Sequence, residues 1–206
     1  MLYDITPTIS PRLGVWPGDT PCLRTVITRL EDGDLSTLSS LTATAHLGAH
    51  ADAPCHYDAQ GQDIASRSLE FFLGPCQVVD VRIDRGERFG ADHLGSEITE
   101  TRILFRTGTF PDPEHWNDDF AGIEPALVER LASLGVRTIG IDTPSVDLQS
   151  AERLIAHEAC RAHDISIIEG LALDGVPVGR CELIALPLKL EGFDASPLRA
   201  VLRAID

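Results

Sequence analysis

The chain has 206 residues, 43% apolar and 24% charged, which is enough to bury a core without disulfides. A net charge of −15 argues against a nucleic-acid partner, because phosphate binding needs a basic surface. The opening residues, Met1-Leu2-Tyr3-Asp4-Ile5, lack the basic and apolar regions of a signal peptide.

In chain order, short β-branched or aliphatic runs near Gly, Pro or Asp predict strands at residues 3–5, 23–28, 41–46, 77–81 and 102–106. Between the first two, the punctuated stretch Val15-Trp16-Pro17-Gly18-Asp19-Thr20-Pro21 reads as a loop that exposes a tryptophan. Residues 107–122, with Pro111, Pro113 and several Asp and Asn, form a long loop, and loops of that length are often functional. A helix follows from near Glu124, with Pro125 in its first turn, Leu127, Leu131 and Leu134 on one face, and Gly135 at the C-terminal cap. After a strand at 137–141, Ser150 serves as N-cap of a second helix running to about His163. Strands are expected at 165–168 and 183–188. The tail, 196–205, fits either a helix, through Leu198, Val201, Leu202 and Ile205, or an edge strand.

These elements make a mixed α/β chain dominated by strands, with no linker to divide residues 1–206 into more than one domain. The longest apolar runs are far too short to span a bilayer. Five widely spaced cysteines, without a C-x-x-C pair, suit reduced thiols, and cytoplasm is the expected compartment.

The chemistry is concentrated in His46-Leu47-Gly48-Ala49-His50-Ala51-Asp52-Ala53-Pro54-Cys55-His56. His46, His50, Asp52 and His56 share parity, so an extended chain starts them on one face. Fully extended, the run would cover about 33 Å. Ligands of one site cannot lie so far apart, so the chain must curl, and Gly48 and Pro54 stand where it could. Neutral imidazole with carboxylate is a ligand set for zinc, manganese or iron(II), and Asp52 has two oxygens with which to bridge two ions. The competing reading is a hydrogen-bonded core network in which Asp52 caps a turn. Downstream, Glu169 ends an apolar strand ahead of Gly170, where a carboxylate is costly to bury unless paired or metal-bound. His157 lies in the second predicted helix and, taken alone, reads as an ordinary helix histidine.

With both groups in view, the sequence resembles the bacterial-type kynurenine formamidases (arylformamidases) of the metal-dependent cyclase family. The motif H-x-G-[TA]-H-x-D-x-P-x-H is matched throughout 46–56. The likeness continues through Ile141-Asp142-Thr143-Pro144-Ser145-Val146-Asp147, Ala156-His157, Ile168-Glu169-Gly170-Leu171 and 182–188, and closes on Asp194-Ala195-Ser196-Pro197-Leu198-Arg199. The resemblance implies a single layered α/β domain with a barrel-like mixed β core flanked by helices, of the swivelling β/β/α type. It implies two Zn²⁺ per subunit, with Mn²⁺ or another divalent ion as the alternative. His46, His50 and Asp52 would bind the first ion and His157 the second. Asp52 and Glu169 would bridge both, leaving His56 to move protons and Trp16 to contact the substrate ring. The implied substrate is a small aryl formamide, N-formyl-L-kynurenine, and the implied assembly is a homodimer or higher homo-oligomer.

Three rivals stand beside this reading. One is another amide or lactam hydrolase of the same family, and another is a metal-binding module without catalysis. The third makes Cys55 a nucleophile beside His56, although neighbours in an extended chain point to opposite faces.

Overall fold

The computed structural model describes residues 1–205. Its strands are β1 (Leu2–Asp4), β2 (Leu23–Thr28), β3 (Leu38–Thr42), β4 (His50–Asp52), β5 (Leu73–Asp80), β6 (Arg88–Phe89), β7 (Arg102–Arg106), β8 (Gly122–Ile123), β9 (Thr138–Ile141), β10 (Ser166–Glu169), β11 (Gly179–Ile184), β12 (Ala195–Pro197) and β13 (Val201–Ala204). Two α-helices, α1 (Pro125–Ser133) and α2 (Ile155–Ala162), complete the frame.

Nine strands form one curled, half-barrel sheet in the order β1-β13-β11-β5-β7-β9-β10-β4-β12. Its centre, β5-β7-β9-β10, is parallel, and both flanks are antiparallel. This is the α/β class with a barrel-like core that the sequence implied. The central strands are buried on both faces and show the period-2 division that the pleat requires. Val79, Ile103, Phe105, Ile139 and Ile167 pack on one side with Leu127, Val128 and Leu131 of α1 and Ala156 and Cys160 of α2. Their neighbours Val78, Leu104 and Ile168 turn to the other side, against Ala51, Leu183 and Leu202.

Several boundaries differ from the sequence expectation. The strand expected at 41–46 stops at Thr42, because Thr42 pairs with Leu23, the first residue of β2, and no partner strand remains beyond it. In the same way β11 ends at Ile184, opposite Leu73 at the start of β5. Helix α2 starts at Ile155 rather than after Ser150; the Asp147 carboxylate accepts from the Ala156 and His157 amides and satisfies its first turn. Leu134 is exposed at the end of α1, while Gly135 takes φ +82 as a helix-ending glycine does. The tail forms two strands. β12 lies at one edge of the sheet, and β13 is inserted between β1 and β11. Among the described residues no helix is long and apolar enough to cross a membrane.

The pairing that matters most for function is at the β10–β4–β12 end. Glu169 stands opposite His50, and Asp52 opposite Ala195. Beyond Glu169 the chain turns at Gly170, with φ +66, directly against the backbone of Gly48, with φ +58. A Cβ on Gly170 would lie 2.2 Å from the Gly48 carbonyl oxygen, so only glycine lets these two backbones meet. Gly170→Ala is expected to cost about 1–3 kcal/mol of stability from backbone strain alone, read by urea denaturation. An unchanged midpoint would contradict this packing.

Candidate metal centre

The structure brings His46, His50, Asp52, His56, His157 and Glu169 to one place. β4 carries His50 and Asp52, β10 ends in Glu169, and the first turn of α2 carries His157. His56 closes a short 3-10 turn, Pro54–His56, that Pro54 initiates. His50, Asp52, His157 and Glu169 are buried; His46 and His56 line the wall of a cavity of about 770 Å³.

Within the cluster the imidazole nitrogens face carboxylate oxygens without hydrogen-bond alignment. His46 Nδ1 lies 3.1 Å from Asp52 Oδ1, and His50 Nε2 lies 3.5 Å from the same oxygen and 3.3 Å from Glu169 Oε2. His157 Nε2 is 3.3 Å from Asp52 Oδ2 and 3.5 Å from Glu169 Oε1. His50 Nε2 and both Asp52 oxygens are buried without a hydrogen-bond partner. Unsatisfied buried polar atoms are rare and call for an explanation.

The opposite ring nitrogens are anchored. His50 Nδ1 meets the Gly48 carbonyl at 2.9 Å, His157 Nδ1 meets Asp147 at 2.8 Å, and His46 Nε2 meets Asp194 at 3.1 Å. Metal-binding histidines are held in this way: one nitrogen donates to an oxygen acceptor, which leaves the other with a free lone pair. The donor set therefore fits divalent metal. His50, Asp52 and Glu169 offer ligand atoms within 4.8 Å of one another, and so do His46, Asp52 and His56, with Asp52 common to both groups. The second group contains His56, which the family resemblance keeps off the metal.

Burial pushes the Asp52 carboxyl up, but the imidazoles of His157, His46 and His50 outweigh it and hold the group well below the usual carboxylate range. Burial disfavours a charged His46 ring as well, yet Asp52, Asp194 and Glu169 raise it to about 9. His157, opposed by burial in the same way, is lifted to about 10 by Asp147, Asp52 and Glu169.

Asp147, Asp194, Trp116 and Phe110 escaped the sequence reading as site residues. Asp147 orients His157, caps α2 and pairs with Arg88 at 2.7 Å. Its signal lay in the Ile141–Asp147 stretch, but no spacing rule ties it to a histidine ten positions on. Trp116 and Phe110 complete an aromatic wall with the predicted Trp16. Trp16 packs edge-on to Trp116, with ring centroids 5.6 Å apart, and Phe110 lines the same cavity from the long 107–122 loop. Cys55, in contrast, hydrogen-bonds to the Phe193 carbonyl, and burial with the nearby Asp194 and Asp63 charges pushes its thiol up, away from the nucleophilic thiolate.

Fold and cluster together define a class: an α/β protein with a buried histidine–carboxylate site of metal-binding type at one end of a curled sheet. Residues 3–148 match the family described as "Putative cyclase". A kynurenine formamidase from Maricaulis maris (strain MCS10) is 44% identical over 205 residues, covering 99% of this chain and 98% of that protein. A solved structure described as a potential metal-dependent hydrolase with cyclase activity superposes with a TM-score of 0.85 at 29% identity, over 98% of this chain and 96% of the other. A predicted metal-dependent hydrolase from Bacillus stearothermophilus gives 0.81, also at 29% identity, over 98% and 97%. The chain belongs to the cyclase family.

The raised imidazoles set the sign of a pH effect. In the metal-free protein His46 and His157 hold protons at pH 7, and each must release one to ligate. Metal uptake should therefore liberate protons, and apparent affinity should keep rising with pH toward 9 instead of levelling near the ordinary histidine value of about 6.5. Calorimetric titration of the metal-free protein in buffers of different ionisation enthalpy measures this, and uptake without proton release would contradict it. Asp52→Asn should also lower bound metal by mass spectrometry.

Proposed function

We propose that this protein hydrolyses N-formyl-L-kynurenine to L-kynurenine and formate, a step of tryptophan degradation, using two divalent ions, zinc in the first instance. The observation that carries the reading is the meeting, in one cavity, of the nitrogen-and-carboxylate cluster with the Trp16, Trp116 and Phe110 wall. A flat aryl group suits that wall, and a formamide beside it reaches the cluster. The 44% identity to a kynurenine formamidase supports the same substrate.

His46, His50 and Asp52 would hold one ion and His157 the other, with Asp52 and Glu169 shared between them. When bound, such ions supply Lewis acidity toward the formyl oxygen and bring the pKa of water toward neutrality. The chain's own contribution is binding and proton transfer. Trp16 stacks on the substrate ring and fixes the formyl carbon at the mouth of the cluster. His56, half-exposed on the cavity wall, takes a proton from the attacking water as the C–O bond forms. It returns that proton to the aryl nitrogen as the C–N bond breaks, so the amine leaves neutral.

We further place the protein in the cytoplasm, where its five free thiols stay reduced. The chain would act as one domain within a homo-oligomer. Support for assembly comes from the β2–β3 hairpin, which stands outside the main sheet and exposes Leu23, Ile27, Leu38 and Leu41. A two-stranded hairpin that leaves aliphatic side chains in solvent is marginal without cover.

The purified protein should turn over N-formyl-L-kynurenine, lose activity to chelator and regain it with zinc; inactivity of the zinc-restored protein would withdraw the substrate. His56→Ala should lower turnover by about 10²–10⁴ while metal content stays near normal. Full activity in that variant would remove His56 from the mechanism. Replacing Leu23 and Leu41 together by Asp should shift the protein to monomer in sedimentation, and an unchanged sedimentation coefficient would relocate the interface.

A further inference from the structure

Asp194 belongs to the closing Asp194-Ala195-Ser196-Pro197 motif, to which the proposed reaction so far gives no task. Its backbone is fixed at the cluster: its carbonyl accepts from the Ala53 amide at 2.8 Å, and the next residue, Ala195, pairs with Asp52. Its side chain reaches into the cavity wall, where Oδ2 lies 3.1 Å from His46 Nε2 and 3.5 Å from His56 Nδ1. The two imidazole rings stand 4.3 Å apart, and the oxygen that hydrogen-bonds to His46 stands beside His56 at ion-pair distance.

We infer that Asp194 is the positioning residue for His56 in the proposed formamidase reaction. The carboxylate fixes His56 with Nδ1–H toward Asp194, which leaves Nε2 as the atom that exchanges protons with water and leaving group. His56 lies within ion-pair reach of no other carboxylate among the described residues. Once Nε2 has taken the proton of the attacking water, the ring is cationic and Asp194 lies beside that charge. The role is that of a carboxylate behind a catalytic imidazole, here half-exposed, which holds one tautomer and steadies the imidazolium without itself taking a proton. The same oxygen contacts His46, a proposed ligand, so the experiment must separate proton transfer from metal binding.

The inference rests on the proposed hydrolysis, and Asp194→Asn, which keeps the shape and removes the charge, tests it. In the zinc-loaded variant, metal content should match the unaltered protein, while kcat on N-formyl-L-kynurenine falls about 10–100-fold with little change in KM. The loss should shrink on a nitro-substituted formanilide, whose amine departs with little proton assistance. The double variant Asp194→Asn/His56→Ala should be no slower than His56→Ala alone, because the two residues act as one unit. A loss of metal, an equal loss on both substrates, or fully additive effects in the double variant would each overturn the inference. If the unaltered protein cleaves neither formanilide, the proposed hydrolysis falls as well; if it cleaves both and Asp194→Asn matches it, only the role of Asp194 falls.

Discussion

Asp52 is buried, and both of its oxygens face ring nitrogens that are not aligned to donate to it. A buried carboxylate in such a setting is among the more costly groups a fold can hold unless positive charge lies close by. Here that charge comes from the imidazoles of His46, His50 and His157, or from metal they would share with Glu169. Much of the surrounding structure can be read as provision for this one group. β4 is only three residues long and is paired on both sides, by β10 and β12, so Asp52 cannot move without disturbing two strands.

The neighbouring elements supply the second half of each interaction. Each of His50, His157 and His46 has an oxygen behind it, from Gly48, Asp147 and Asp194 respectively, and those oxygens come from three different parts of the chain. The Asp147 carboxylate also ends the unsatisfied first turn of α2, which ties the orientation of His157 to the placement of the helix. The parallel centre of the sheet and its two helices form a conventional core; the chemistry sits at the sheet end where strand pairing turns antiparallel and Gly48 and Gly170 bring two backbones together.

Strands with a clear β-branched run and a punctuated end, such as 23–28 and 102–106, were legible from sequence to the residue. Helix α1 was legible within a residue or so, from Pro125 in its first turn and Gly135 just past its end. The two strand ends set too far along share one physical cause: residues 41–46 and 183–188 have strand character throughout, but a strand lasts only as long as its partner, and partners are set by long-range register. The tail had the apolar spacing of a helix, and only its pairing with β1, β11 and β4 decides for strands. At the site, the parity of His46, His50, Asp52 and His56 correctly predicted that they converge after a bend. The acceptors Asp147 and Asp194 and the Trp116–Phe110 wall were silent, because each acts only through contacts made across the fold.

The proposed reading would have this cluster hold two divalent ions that share Asp52. Crystals of the zinc-loaded protein, recorded on both sides of the zinc absorption edge, test it most directly. Two anomalous peaks about 3.5–4 Å apart, one on each side of Asp52, are the expected result. A single peak, or peaks away from Asp52 and Glu169, would contradict the account.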